Sequence, residues 1–182
     1  LKTIRLSDYS TIRLPDSKGI AMIYLDHAAT SWPKPPEVCQ ELTRAILELT
    51  ANAGRSAHGA AVASARMVFE TRRRLAELIG AVRSEEVVFT RGATEGLNLV
   101  LRGWLKPGDL VLVSPLEHNS VMRPLARLVR ERGITVETLP ADPLGRVDTE
   151  AARRRPPVRP AALVVVQHAS NVHGAVQDVE AI

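Results

Sequence analysis

Residues 87–98 read VVFTRGATEGLN, and they decide the fold. Val87 to Thr90 is a short run of β-forming residues with no polar interruption, which predicts a buried strand covered on both faces. Gly92-Ala93-Thr94 follows at once and turns the chain into a helix of about Glu95 to Leu105, which Pro107-Gly108-Asp109 closes. A strand that feeds a helix through small residues is half of a βαβ unit.

The pattern continues downstream. Leu110 to Val113 predicts a strand, and Asn119 to Arg132 a helix stopped by Gly133. Ile134 to Leu139 predicts a strand, Asp142 to Gly145 a turn, and Asp148 to Arg155 a short helix. Leu163 to Val166 predicts a last strand, followed by the polar loop His168 to Gly174. Upstream, Val38, Leu42, Ala45, Ile46 and Leu49 recur at spacings of three and four, so an amphipathic helix starts at Pro36 and stops at Asn52-Ala53-Gly54. A second helix is expected from Ala60 to Ile79, ended by Gly80, and a short strand over Ile23-Tyr24-Leu25. Alternation of this kind predicts an α/β domain with a mostly parallel sheet and flanking helices. Residues 1–21 have no clear period and end in a Lys-Gly turn signal; they read as an extension, with Met22 as the natural start of a domain over 22–182.

The 182 residues are 45% apolar and 24% charged, which suits one soluble domain and excludes disorder. The longest apolar stretch, Ala161 to Val166, is too short to span a bilayer, and residues 1–22 hold no secretory signal. A single cysteine, Cys39, forbids an internal disulfide and fits the reducing cytoplasm. Beside the apolar face of the first helix it reads as a buried structural thiol. The net charge of +4 comes from four lysines and twenty arginines against 20 acids. The densest run, Arg72-Arg73-Arg74, lies near Glu70 and Glu77 and reads as a solvated helix face. Six aromatic residues, none alternating with basic ones, give no base-stacking platform, so nucleic acid is not a partner.

In open α/β sheets ligands bind beyond the carboxyl ends of the strands. Three such ends carry polar loops. At Thr90 to Gly96, small residues lead into a helix and leave backbone N–H groups and a hydroxyl, Thr94, open to a phosphate. A plain threonine cap after a glycine turn explains the same residues. At Ser114 to Ser120, His118 sits where a ring stacks on a planar ligand or moves a proton; a capping loop started by Asn119 or Ser120 is the plainer reading. At Gln167 to Gly174, His168 and His173 have no third ligand at a usual metal spacing, so the loop reads as hydrogen bonding to a polar ligand, with no metal. The dinucleotide, P-loop and nucleophile-elbow glycine motifs are absent.

Taken together the loops are specific. Residues 24–35 (YLDHAATSWPKP), 54–58 (GRSAH), 88–98 (VFTRGATEGLN), 117–120 (EHNS) and 168–174 (HASNVHG) resemble, in order and spacing, the N-terminal half of class V aminotransferase-fold enzymes, the cysteine desulfurase and selenocysteine lyase relatives. The resemblance implies part of the large domain of a fold type I homodimer that binds pyridoxal 5′-phosphate. It implies that Ala93 and Thr94 hold the phosphate, that His118 stacks on the pyridine ring, and that Asn171 bonds the ring hydroxyl side. His27, Ala28 and Ala29 would line the substrate side, His27 standing where the family has Asn, with Arg55 and His58 near the site or the partner subunit. The implied reaction takes sulfur from L-cysteine and leaves L-alanine; an aminotransferase or selenocysteine lyase reaction, or a non-catalytic truncated product, are the alternatives.

Catalysis in the family needs a Schiff-base Lys, an Asp beneath the pyridine nitrogen and a persulfide-forming Cys, all expected after residue 182. None of Lys2, Lys18, Lys34 and Lys106 stands at the required position, so the 182-residue chain is expected to carry no catalytic residue and to be inactive alone. The resemblance also implies that strand 87–90 pairs with a later strand, that 110–113, 134–139 and 163–166 form a contiguous block, and that exposed edges and helix faces leave the chain poorly stable or aggregating.

Overall fold

A computed structural model describes residues 24–49, 51–54 and 57–182. Residues 1–21, Ile23 and Arg55 therefore lie outside the described residues. The chain divides into two compact units, one ending at Val88 and one beginning at Phe89.

The first unit opens with a loop tied from within. The Tyr24 hydroxyl donates to the Thr30 carbonyl at 2.9 Å, and its ring meets His27 edge-on at 4.8 Å. The Lys34 ammonium donates to Thr30 Oγ1 at 2.7 Å and to the Ser31 carbonyl. Tyr24 and Leu25 form no strand, and Leu25 is exposed. α1 (Pro36–Glu48) starts on a proline, whose missing N–H costs nothing in a first turn. α2 (Gly59–Ile79) is capped by the His58 ring, which accepts from the Ala61 N–H at 3.3 Å, and it ends at Gly80 with φ +71°. The Ser64 hydroxyl, buried in α2, donates to the Leu49 carbonyl at 2.8 Å and joins the end of α1 to α2. The stripe that predicted α1 is present but packs against little: Val38, Leu42 and Ile46 are exposed. Cys39 is also exposed, which corrects the buried thiol expected from its place beside that stripe.

The second unit carries the sheet. α3 (Ala93–Trp104), β1 (Leu110–Val113), α4 (Asn119–Arg132), β2 (Thr135–Thr138), α5 (Thr149–Arg154) and β3 (Leu163–Val165) follow in chain order. The sheet has the order β2-β1-β3, and both pairings are parallel. Val111 faces Val136 on one side and Leu163 on the other. The contiguous block expected of these three segments is therefore present. Val87 to Thr90 is not a strand, and Val88 is exposed. The segment was expected to pair with a later strand, and among the described residues no strand pairs with it.

The core follows from strand alternation. Val111 and Val113 point to one face and meet Leu101 and Leu105 of the α3 end and Val121, Leu125 and Leu128 of α4. Burying each such side chain stabilises by about 1.5–3 kcal/mol relative to exposure. Leu112 and Val164, on the other face, are half-buried and exposed. Arg132 closes the α3 end by donating to the Arg102 and Leu105 carbonyls at 2.9 and 2.6 Å. After β2 the chain turns at Asp142, whose Oδ1 accepts from the Leu144 and Arg146 N–H groups, each at 2.9 Å. Gly145 has φ +77°, and a Cβ there would stand 2.8 Å from the Leu116 side chain, so both conformation and space demand glycine.

Candidate functional site

The carboxyl ends of the three parallel strands point to one edge of the sheet, and the loops after β1 and β3 leave from it. The start of α3 is the first element of the candidate site. Gly92, not Thr94, occupies the cap position and supplies no side-chain hydrogen bond. Thr94 is the second helical residue, because the helix begins two residues earlier than its apolar period suggests. Among the described residues nothing accepts from the Ala93 and Thr94 N–H groups or from the Thr94 hydroxyl. Glu95 would compete for that positive helix end, but Arg91 engages its carboxylate: the Arg91 N–H donates to Oε2 at 2.6 Å and the guanidinium to Oε1 at 3.0 Å. These bonds hold the Glu95 carboxyl below its ordinary range. The helix dipole and three open donors are thus left for an external anion.

His118 is the N-cap of α4. Its Nδ1 accepts from the Ser120 N–H at 3.1 Å and lies 2.9 Å from Ser120 Oγ. The capping reading of this loop therefore holds, with the histidine itself as the cap. An imidazole whose Nδ1 accepts carries its neutral proton on Nε2, so the ring is fixed in tautomer. Thr94 and His118 line one open groove of about 410 Å³ between α3 and α4, together with Asn98, Arg102, Arg123 and Arg127.

Asn171 belongs to the loop after β3 and does not line that groove. It is tied to the β1 loop by a chain of hydrogen bonds. Glu117 Oε1 accepts from Ser114 Oγ and from the Gln167 N–H, each at 2.6 Å. The Gln167 side chain then donates from Nε2 to the Ala169 carbonyl at 3.2 Å and to Asn171 Oδ1 at 3.0 Å. Gln167 Oε1 is buried, and no described residue donates to it. Glu117 opens one of the stretches that carry the resemblance and Gln167 opens the third polar loop, but the sequence assigns neither a role. The signal for Glu117 is a lone carboxylate between a strand end and a histidine. His168 and His173 are drawn into the loop's own bonding: the His168 carbonyl accepts from the Gln177 N–H at 2.8 Å, and His173 Nδ1 from the Ala175 N–H at 3.4 Å. Among the described residues no group of three or more His, Cys, Asp or Glu could hold a metal.

The remaining candidates lie in the first unit. His27, Ala28 and Ala29 sit exposed on the loop that Tyr24 closes, with the Ala29 N–H bonded to the Asp26 carbonyl at 3.1 Å. His58 serves as the α2 cap. Lys34 is engaged by Thr30 and Ser31. Lys106 precedes β1 and His118 follows it, so they lie at opposite ends of a strand about 13 Å long. No helix of the described residues is long and apolar enough to cross a membrane.

The fold agrees with the comparisons to known proteins. A probable cysteine desulfurase of Methanothermobacter thermautotrophicus is 40% identical over 162 residues, covering 88% of this chain and 39% of its own length. The apo cysteine desulfurase of Thermococcus onnurineus NA1 superposes with a TM-score of 0.78 at 35% identity, covering 87% of this chain and 40% of that one. SspA in complex with cysteine superposes with a TM-score of 0.73 at 25% identity, covering 87% and 46%. The chain thus spans between about a fifth and two-fifths of the length of the curated relatives it matches, and in the solved structures the matched stretch is part of a larger fold. The sequence profile of the family described as Aminotransferase class-V matches residues 23–182. With the parallel sheet and the open α3 end in the matched stretch, the chain belongs to the class V aminotransferase family.

Proposed function

We propose that residues 89–182 form the phosphate- and ring-holding part of a pyridoxal 5′-phosphate site in a cysteine desulfurase. One observation carries this reading: the uncapped start of α3 opens at Thr94 into the groove that His118 also lines. The residues present fit the cofactor, because open N–H donors suit its phosphate dianion and a tautomer-locked imidazole suits a flat aromatic ring. Ala93 and Thr94 would hold the phosphate, His118 would cover the ring, and Asn171 would donate to the ring oxygen. When bound, the cofactor supplies an electron sink for bond changes at an amino acid's α-carbon. The names of the relatives support cysteine as the amino acid, with alanine and transferred sulfur as products. His27, Ala28, Ala29, Arg55 and His58 are assigned to the substrate side, and the working form to a cytoplasmic homodimer of fold type I. Residues 22–182 would be the domain portion and 1–21 an extension outside it.

The 182 residues bind without turning over. Lys34 is engaged within its own loop, and Lys106 lies at the far end of β1. Pyridoxine 5′-phosphate, which has no aldehyde to react with surface lysines, tests the site by calorimetry. Binding should weaken about tenfold in Thr94→Val, the loss of one good polar contact, and by a similar factor in His118→Ala, the loss of a ring-on-ring contact. No binding, or binding indifferent to both changes, overturns the assignment. Sulfide released from cysteine by the 182-residue chain would overturn its expected inactivity.

A further inference from the structure

We propose that Glu117 is a positioning residue: its carboxylate clamps the β1 and β3 loops together and thereby sets both His118 and the donor face of Asn171. The inference rests on the reading of those two residues as cofactor-side groups. The last ladder bond between the two strands runs from the Ser114 N–H to the Val165 carbonyl at 2.9 Å. Beyond it the strands part to admit their loops, and the Gln167 N–H has lost its ladder. Glu117 Oε1 takes that N–H at 2.6 Å and the hydroxyl of Ser114, itself 1% exposed, at 2.6 Å. The same N–H also reaches Ser114 Oγ at the longer distance of 3.3 Å, so Glu117 Oε1 is the nearer of two acceptors that join residues fifty or more apart in sequence. His118 is the next residue along the chain, so the clamp and the helix cap act on adjacent positions.

The second half of the argument concerns which atom Asn171 presents. An Asn or Gln side chain offers an acceptor at one end and a donor at the other, and its neighbours decide which way round it sits. The Ala169 carbonyl can only accept, so the Gln167 side chain must turn Nε2 toward it, at 3.2 Å. The same Nε2 donates to Asn171 at 3.0 Å, so Asn171 must accept there with Oδ1. Its Nδ2 is left as the outward group, a donor for an anionic or carbonyl oxygen. A backbone carbonyl therefore fixes the polarity of the site through Gln167, and Glu117 fixes where Gln167 is.

The test uses the ¹⁵N-labelled 182-residue chain without ligand, followed by pyridoxine 5′-phosphate titration. In Glu117→Ala, Gln167 amide exchange should accelerate about tenfold or more, the scale of a lost hydrogen bond to a charged group. The Asn171 side-chain amide signals should shift, while core amides such as Val111 stay protected. Glu117→Gln keeps a neutral acceptor and should cost about threefold on the same amide. Affinity for pyridoxine 5′-phosphate should fall in the same order. Unchanged Gln167 exchange in Glu117→Ala overturns the clamp, as does equal loss of protection at Val111, which would mark a general packing role. Should Glu117→Ala fail to fold, Glu117→Gln decides alone, and no change at Gln167 overturns the proposal. A protected Gln167 released by substitution, in a chain that never binds pyridoxine 5′-phosphate, would sink the cofactor reading and leave the clamp standing.

Discussion

The guanidinium of Arg132, in the last turn of α4, donates to the carbonyl of Leu105, the C-cap of α3 27 residues earlier, at 2.6 Å and so closes that helix. It satisfies carbonyls that the end of α3 leaves open, and its charge suits the negative end of that helix dipole. Arg132→Ala should lower unfolding stability by about 1–2 kcal/mol. Urea titration followed by circular dichroism measures it, and an unchanged midpoint would show that the bond contributes nothing net.

Leu125 is fully buried in the α4 face of the core. Leu125→Ala should cost about 2–5 kcal/mol, the range for a large-to-small change at a site that cannot collapse. Leu42 of α1 is 61% exposed, so Leu42→Ala should be neutral within about 0.5 kcal/mol. Similar losses from the two changes would contradict the burial assigned to each.

Gly145 meets two obstacles to a side chain: its φ of +77° and a Leu116 side chain 2.8 Å from where a Cβ would stand. Gly145→Ala should destabilise by about 1–3 kcal/mol. Adding Leu116→Ala should recover the steric share and leave the conformational share. A double-mutant cycle separates them, and strict additivity would deny the contact.

The Asp142 carboxyl is held below its ordinary range, chiefly by the Arg146 N–H, with the Arg146 side chain and the Leu144 N–H adding to it against desolvation. A depressed folded value means that the unfolded chain binds the proton more readily. The stabilisation is present above the unfolded carboxylate range and is lost as pH falls through the folded value. Asp142→Asn should lower the melting temperature at pH 7 and flatten its decline below about pH 4. A parallel shift at every pH would assign the effect to something other than the proton.

Leu99, Val100 and Trp104 of α3 and Val38, Leu42 and Ile46 of α1 are all exposed. Apolar faces of this extent favour association over a lone monomer. Analytical ultracentrifugation of the 182-residue chain should show self-association that rises with concentration. A monodisperse monomer with a cooperative thermal transition would refute that expectation.

Which parts of the fold could be read from the residues depended on whether local and tertiary preferences agreed. Helices with a clear apolar period and a glycine stop, such as α2 before Gly80 and α4 before Gly133, are placed to within a residue. Val87 to Thr90 misled because a strand needs a neighbour, and among the described residues none pairs with this segment. Cys39 misled for a related reason: an apolar stripe predicts which face would be buried, not that something covers it. Thr94 was legible as a hydroxyl where small residues lead into a helix, and His118 as a polar residue after a strand end. Gln167 was not, because its importance lies in a bond to Asn171 and in a carbonyl that sets its orientation.

β1 has only four residues, yet it separates two different tasks. Arg132 at one end holds a helix closed, and His118 and Ser114 lie at the other. The separation of about 13 Å exceeds the screening length of about 8 Å in physiological salt and falls well inside the roughly 30 Å of 0.01 M salt. Charge changes around Lys106 and Asp109 would therefore be largely screened at the Ser114 end of the strand in physiological salt and felt there in dilute buffer. Ionic strength thus decides whether the two ends of this short strand act as one electrostatic unit or as two.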